Sequence, residues 1–277
     1  MEKKKYLIAS GCSFTEGHHC KTNWAKELSN KLDLNLINLG KGGSGNRLIT
    51  QVPISFGMMN PNIAKDSLFI VQLSECLRTL VYYDSEIKKY GELTTQGHYY
   101  HITPGIFLGQ GGLLTDGNPT GFSSTGVHKA IREGRNHLVN FYTNITFTLL
   151  KTYWGIINFV NFCENNNYPY LIFDGLNSHI PYEHNGKWVL PNADTRDTSE
   201  ELRINVADTD GNEVTAIISE KLIRYIKSIK NYYQDTTLWK FIMCRDNEDY
   251  FKGNSGHPNE LGAKKWAEHL EEVLENL

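Results

Sequence analysis

A serine at position 13 stands in the run S-G-C-S-F-T-E-G, residues 10–17, directly after the apolar stretch Tyr6-Leu7-Ile8-Ala9. A histidine at 257 stands in G-N-S-G-H-P-N-E-L-G, residues 253–262, and a glycine-rich turn, G-K-G-G-S-G-N, occupies 40–46. These residue types suit acyl transfer. A serine hydroxyl is a poor nucleophile until a base takes its proton. An imidazole titrates near neutrality, which fits His257 to that task. The tetrahedral intermediate carries an oxyanion that needs preorganised donors. The N–H of Ser13, the N–H of a glycine in the second loop and a polar side chain from the run Ser74 to Arg78 are candidates. Glycine suits the second loop because only its bare backbone can approach a ligand closely.

Each piece also has a plainer reading. Ser13 can cap the helix after it, and His257 can be a surface residue beside a proline turn. Asn259 and Glu260 read as the cap and first turn of a last helix. The glycine loop invites a phosphate, but it lacks the G-K-[ST] ending and the G-x-G-x-x-G spacing. His18, His19 and Cys20 are adjacent, and three neighbours do not easily face one ion, so no metal site is expected. Arg78 either binds an anionic substrate or pairs with Glu75. His98, Tyr99, Tyr100 and His101 either line a sugar site or form a small core of their own.

The elements that must position these residues follow from periodicity. Tyr6 to Ser10 reads as a buried strand, and Trp24, Leu28 and Leu32 share one face of a helix over 21–32. Leu34 to Asn38 is a second strand, a helix starts near Arg47, and Ser67 to Leu73 is a third strand. Strand, helix, strand, helix, strand is the order of a parallel sheet with helices on both faces. Ligands of such sheets sit beyond the carboxyl ends of the strands. Further on, the pattern predicts a helix over Asn136 to Glu164, a strand over Tyr168 to Phe173, a helix over Ile217 to Ile229, a fifth strand over Trp239 to Cys244 and a last helix from about Asn259 to Leu274. Residues 84–130 and 179–215 show little periodicity and read as irregular insertions; a loop as long as the first is usually a lid or a binding surface.

The 277 residues suffice for one large domain with a real core. A formal net charge of −3 gives no basic field for nucleic acid or an anionic membrane. Five cysteines, an odd number in no zinc or disulfide spacing, read as reduced thiols. The short apolar run near the start is too short for a signal peptide, and no stretch approaches a membrane span, so a cytoplasmic protein is expected.

Three blocks of this chain resemble the SGNH (GDSL-like) hydrolases. G-C-S-F-T-E-G at 11–17 is similar to their first block, N-L-G-K-G-G-S-G-N at 38–46 to the second, and H-P-N-E-L-G at 257–262 to the last. The G-C-S-F-T form resembles phage and bacterial members. The resemblance covers the beginning of the chain and its end. It implies a flavodoxin-like three-layer α/β/α sandwich with a parallel central sheet, here one domain with two irregular insertions. It also implies hydrolysis of an ester, an acyl or acetyl group on a small molecule or a glycan, with no metal or organic cofactor. Ser13 matches the nucleophile, His257 the base and Gly43 the second-block glycine, with Gly42 and Gly45 as neighbours in the motif. Three positions depart from the family pattern. Cys12 stands where aspartate is usual. Ser74 and Glu75 stand where the third block has Asn-Asp, so the oxyanion donor falls to Ser74, or to Asn46 or Arg78; Glu75 and Arg78 are also candidate substrate contacts. Asn254 stands where a carboxylate usually orients the histidine. Asn254 can accept a hydrogen bond from the ring but cannot stabilise an imidazolium by charge; Asp246, Glu248 and Asp249 are alternative carboxylates. The rival expectations are a binding module for carbohydrate or protein with an eroded site, and an acyltransferase.

Overall fold

The computed structural model describes residues 4–17, 20–75, 79–82, 99–102, 145–176, 178–184, 187–190, 200–201, 206–207, 213–214, 218–243, 250 and 257–277. Five parallel strands form the central sheet: β1 (Tyr6–Ser10), β2 (Asn35–Asn38), β3 (Ser67–Leu73), β6 (Tyr170–Asp174) and β12 (Tyr232–Tyr233), in the spatial order β12-β6-β3-β1-β2. This is the flavodoxin-like order, which leaves a crevice at the carboxyl ends of β1 and β3, where the chain switches direction across the sheet. Buried on both faces, β1, β3 and β6 are almost wholly apolar.

Helices cover both faces. On one side lie α2 (Trp24–Lys31) and the C-terminal helix α8 (Glu260–Glu275), and Phe173 of β6 meets Trp24 and Trp266 edge-on or tilted at 5.2 and 5.3 Å. On the other side lie α3 (Asn46–Met59) and α5 (Ile145–Asn165), where Phe69 of β3 packs on Phe159 and Phe162. Gly155 of α5 lets the two helices approach, since a Cβ there would stand 2.4 Å from the Thr50 hydroxyl. The short α1 (Ser13–Glu16), α4 (Pro61–Lys65), α6 (Glu220–Ser228) and α7 (Leu238–Met243) complete the helices of the described residues. Side chains cap the main ones: Asn23 accepts from Lys26 N, Ser219 from Leu222 N and Asn259 from Gly262 N.

Pro53 lies inside α3 and is buried. It cannot donate to the carbonyl of Ile49 four residues back. The Ser10 hydroxyl, at the end of β1, takes that carbonyl at 2.7 Å. The defect in the helix thus becomes a tie to the strand that leads into Ser13.

Two expectations need correction. The fifth strand is not Trp239 to Cys244. Leu238–Met243 is a helix, with Thr237 Oγ1 accepting from Lys240 N in its first turn, and the fifth strand is the two-residue β12 before it. A six-residue apolar run does not distinguish strand from buried helix by pattern alone. The insertions are also not wholly irregular. An antiparallel pair joins β4 (Thr79–Tyr82) to β5 (Tyr99–Ile102), so Tyr99, Tyr100 and His101 lie on a strand. Residues 179–215 carry the three strands β7 (Tyr182–His184), β8 (Lys187–Leu190) and β9 (Glu200–Glu201), and the pair β10 (Val206–Ala207) with β11 (Glu213–Val214). The start of the expected helix at 136–144, and His18, His19 and His98, lie outside the described residues. No helix among the described residues is long and apolar enough to cross a membrane.

Candidate active site

The turn after β1 is built from beneath. The carbonyl of Cys12 accepts from Thr15 N and Glu16 N, both at 3.0 Å, and closes α1 as one helical turn. Gly17 ends it in the left-handed region, φ 83°, with its N–H on Ser13 O. A Cβ on Gly11 would fall 2.1 Å from Thr15 Oγ1, so the bare backbone there lets Thr15 tuck under the turn. Thr15 Oγ1 donates to Gln72 Oε1 at 2.6 Å and accepts from Trp24 Nε1 at 3.1 Å. Gln72 Nε2 in turn donates to Cys12 Sγ at 3.1 Å. Cys12 is therefore a fully buried acceptor in the floor of the turn. It stabilises the turn at the position where the resembling family has aspartate.

On this turn Ser13 Oγ lies 2.9 Å from His257 Nε2, a contact between residues 244 apart in sequence. His257 precedes α8, and its ring stands edge-on to Phe14, centroids 5.4 Å apart, while Phe14 stacks on Trp239. Cys20 Sγ donates to the carbonyl of Pro258 at 2.8 Å and ties the loop after α1 to the histidine segment. A crevice opens beside the pair, lined by Phe14, Trp24, Leu238, Pro258 and Ala263 among others. The hydroxyl and the imidazole nitrogen are at hydrogen-bond distance in an apolar setting, which is the geometry a general base needs. Asn254, Asp246, Glu248, Asp249 and Arg78 lie outside the described residues.

The glycine loop folds against the same turn. Lys41 N donates to Gly11 O, and Asn38 Nδ2 to Thr15 O at 2.7 Å. Ser44 N closes a tight turn on Lys41 O, and Gly43, φ 75°, sits inside it in the left-handed region. The N–H of Gly42 is taken by Glu16 Oε2 at 2.7 Å, and Lys41 Nζ lies 3.3 Å from Glu16 Oε1. A Cβ on Gly42 would stand 3.8 Å from Ser13 Cβ, so this loop is a wall of the site. The N–H of Gly42 is thus occupied by Glu16.

The end of β3, where the sequence places a third candidate donor, neighbours the end of β1 in the sheet. Ser74 is fully buried, and its hydroxyl has no hydrogen-bond partner among the described residues. Glu75 follows it, half-buried. Asn46 requires a correction. Its amide is not free to receive an oxyanion: Nδ2 lies 2.8 Å from His179 Nε2 and 3.3 Å from both Thr152 Oγ1 and Ser74 O, and Oδ1 accepts from Ser74 N at 2.7 Å. Its role is to join elements. Sequence reasoning missed Glu16, which holds the glycine loop, and the pair Asp174 and His179, which meet at 2.7 Å. The signal for Asp174 was a lone carboxylate ending an apolar strand. His179 gave none.

Among the described residues no cluster of metal-ligating side chains is present. No family model matches the chain, and no curated protein matches it. Among solved structures it is similar to one provisionally described as a lipolytic protein of the G-D-S-L family, from Desulfitobacterium hafniense DCB-2. The two share 14% identity over 98% of this chain and 99% of that one, with a TM-score of 0.44.

Proposed function

We propose that the protein is a serine ester hydrolase working through an acyl-enzyme on Ser13. The observation that carries this reading is the 2.9 Å approach of Ser13 Oγ to His257 Nε2 at the carboxyl end of the sheet. In this reading His257 takes the hydroxyl proton as Oγ attacks the ester carbonyl carbon. The carbonyl π electrons move to oxygen, and the N–H groups of Ser13 and Gly43 receive that oxyanion, with the Ser74 hydroxyl as third donor. Collapse breaks the bond to the alcohol oxygen, which leaves with the proton from Nε2. Water then attacks the acyl carbon and gives a proton to His257; collapse breaks the bond from the acyl carbon to Ser13 Oγ, which takes that proton back from Nε2 as the carboxylic acid leaves. Asn254 orients the ring in place of a carboxylate. The ester is an acyl or acetyl group on a small molecule or glycan, with Glu75 and Arg78 as candidate substrate contacts. No cofactor takes part. The buried free thiols of Cys12 and Cys163 favour a reducing compartment such as the cytoplasm.

Turnover of p-nitrophenyl acetate and labelling by a fluorophosphonate test the reading. Wild type is expected to be labelled, and Ser13→Ala to lose both labelling and turnover while keeping its melting temperature. A wild type that resists the fluorophosphonate would overturn it and favour a binding module on the same fold. Transfer of the acyl group to added alcohol in preference to water would make the protein an acyltransferase using the same residues.

A further inference from the structure

Asp174 and His179 form a buried carboxylate–imidazole pair that the proposed reaction does not use. Asp174 is 2% exposed and His179 0%. A buried carboxylate is tolerated only with donors around it. Asp174 has three: His179 Nδ1 at 2.7 Å, His179 N at 3.2 Å and Tyr232 Oη at 2.8 Å. With the Nδ1 proton directed at the carboxylate, Nε2 presents its lone pair. It accepts from Asn46 Nδ2 at 2.8 Å. That bond sets which way the Asn46 amide faces, and Oδ1 is turned to the Ser74 N–H at 2.7 Å. Ser74 lies three residues past Val71, and Ser13 three past Ser10. Val71 and Ser10 are register partners on adjacent parallel strands. The chain of bonds therefore ends on the strand terminus neighbouring the candidate nucleophile.

We propose that Asp174, His179 and Asn46 are positioning residues that fix the carboxyl end of β3 beside Ser13. Their purpose rests on the hydrolase reading above: they hold the third donor of the oxyanion hole. Among the described residues, their side-chain hydrogen bonds run to one another, to Tyr232, to Thr152 and to Ser74. They act through Ser74, whose buried hydroxyl lacks a partner among the described residues. An orphan hydroxyl inside a protein is costly, and an arriving oxyanion would satisfy it.

The test uses His179→Asn, which keeps a donor near the Nδ1 position for Asp174 and removes the Nε2 acceptor from Asn46. His179→Phe removes both. Tyr153→Phe is the control, since it deletes only the hydroxyl that donates to His179 O at 2.8 Å. Amide exchange at Ser74, read by NMR, is expected to speed up about tenfold or more in His179→Asn and to stay unchanged in Tyr153→Phe. kcat for p-nitrophenyl acetate is expected to fall about tenfold or more in His179→Asn with KM unchanged. Unaltered Ser74 exchange in His179→Asn, or equal effects from Tyr153→Phe, would overturn the proposal. Exchange is read whether or not ester is cleaved, so an inert wild type would sink the hydrolase reading while Ser74 still decides the positioning role.

Discussion

Glu16 shares one helical turn with Ser13, and this makes a single turn responsible for two walls of the site. Its carboxylate holds Gly42 N–H and Lys41 Nζ, and so fixes the loop that carries Gly43. Glu16→Ala should let the loop drift and lower kcat about tenfold with little change in KM, because misplacing an oxyanion donor by an ångström is enough. Glu16→Gln keeps an acceptor for Gly42 and should retain most of the rate. Equal losses in both variants would show that charge, not placement, matters. Asn254 raises the opposite expectation. Asn254→Asp adds the carboxylate that stabilises an imidazolium and should raise kcat about tenfold or more. An unchanged rate would mean that another group already serves Nδ1. These residues differ in how far the sequence exposes them. Ser13, Gly43 and His257 sit in short motifs that a reader can align. The Glu16–Gly42 and Asn46–His179 bonds join residues 26 and 133 positions apart, and no local pattern encodes such pairings.

At the scale of elements, the site depends on how each strand end is tied to its neighbours. Ser10 and Pro53 are one such tie: Ser10→Ala leaves the Ile49 carbonyl buried without its donor and should cost about 1–3 kcal/mol. A urea titration would measure it, and a loss near zero would mean that the carbonyl finds another partner. The junction of α5 and β6 gives a pH dependence. Burial, together with a hydrogen bond to Glu164, pushes the Tyr170 hydroxyl above its ordinary value, and burial pushes the Cys163 thiol up. Both groups are held neutral when folded and ionise more readily when unfolded. Their contribution is therefore complete below the ordinary thiol and phenol range and is lost progressively as pH rises from that range toward the raised folded values. The melting temperature should fall as pH is raised from 8 to 11, and less steeply in a Cys163→Ala, Tyr170→Phe double variant. A double variant as steep as wild type would show that other groups govern the slope. Elements with long apolar runs were legible in the sequence, β1, β3 and β6 above all. The fifth strand was not. Its two residues carry no period, and the apolar run after it drew the assignment away, although its helical form is what packs Phe241 on Trp266.

For the whole molecule, the decisive fact is that the candidate site joins the two ends of the chain. Ser13 rides on the first strand and His257 on the approach to the last helix. That helix is seated through Trp266, wholly buried against Phe173, Phe241 and Tyr233, and α8 is in turn bridged to α2 by Lys31 and Glu271 at 2.9 Å. The parallel sheet was readable from alternation, whereas the pairing of Ser13 with His257 was readable only from their motifs, because alternation does not say which helices share a face. The joining of the two ends has a measurable consequence. If α8 frayed independently, His257 would leave Ser13 before the core melted, and labelling would fail first. The buried indole makes α8 part of the common core, so the loss of fluorophosphonate labelling and the change in tryptophan fluorescence should share one urea midpoint. Trp266→Ala should remove about 3–5 kcal/mol and move both midpoints down together. Labelling lost at clearly lower urea than fluorescence, in wild type, would mean that α8 and the histidine form a separate unit that docks onto the sheet.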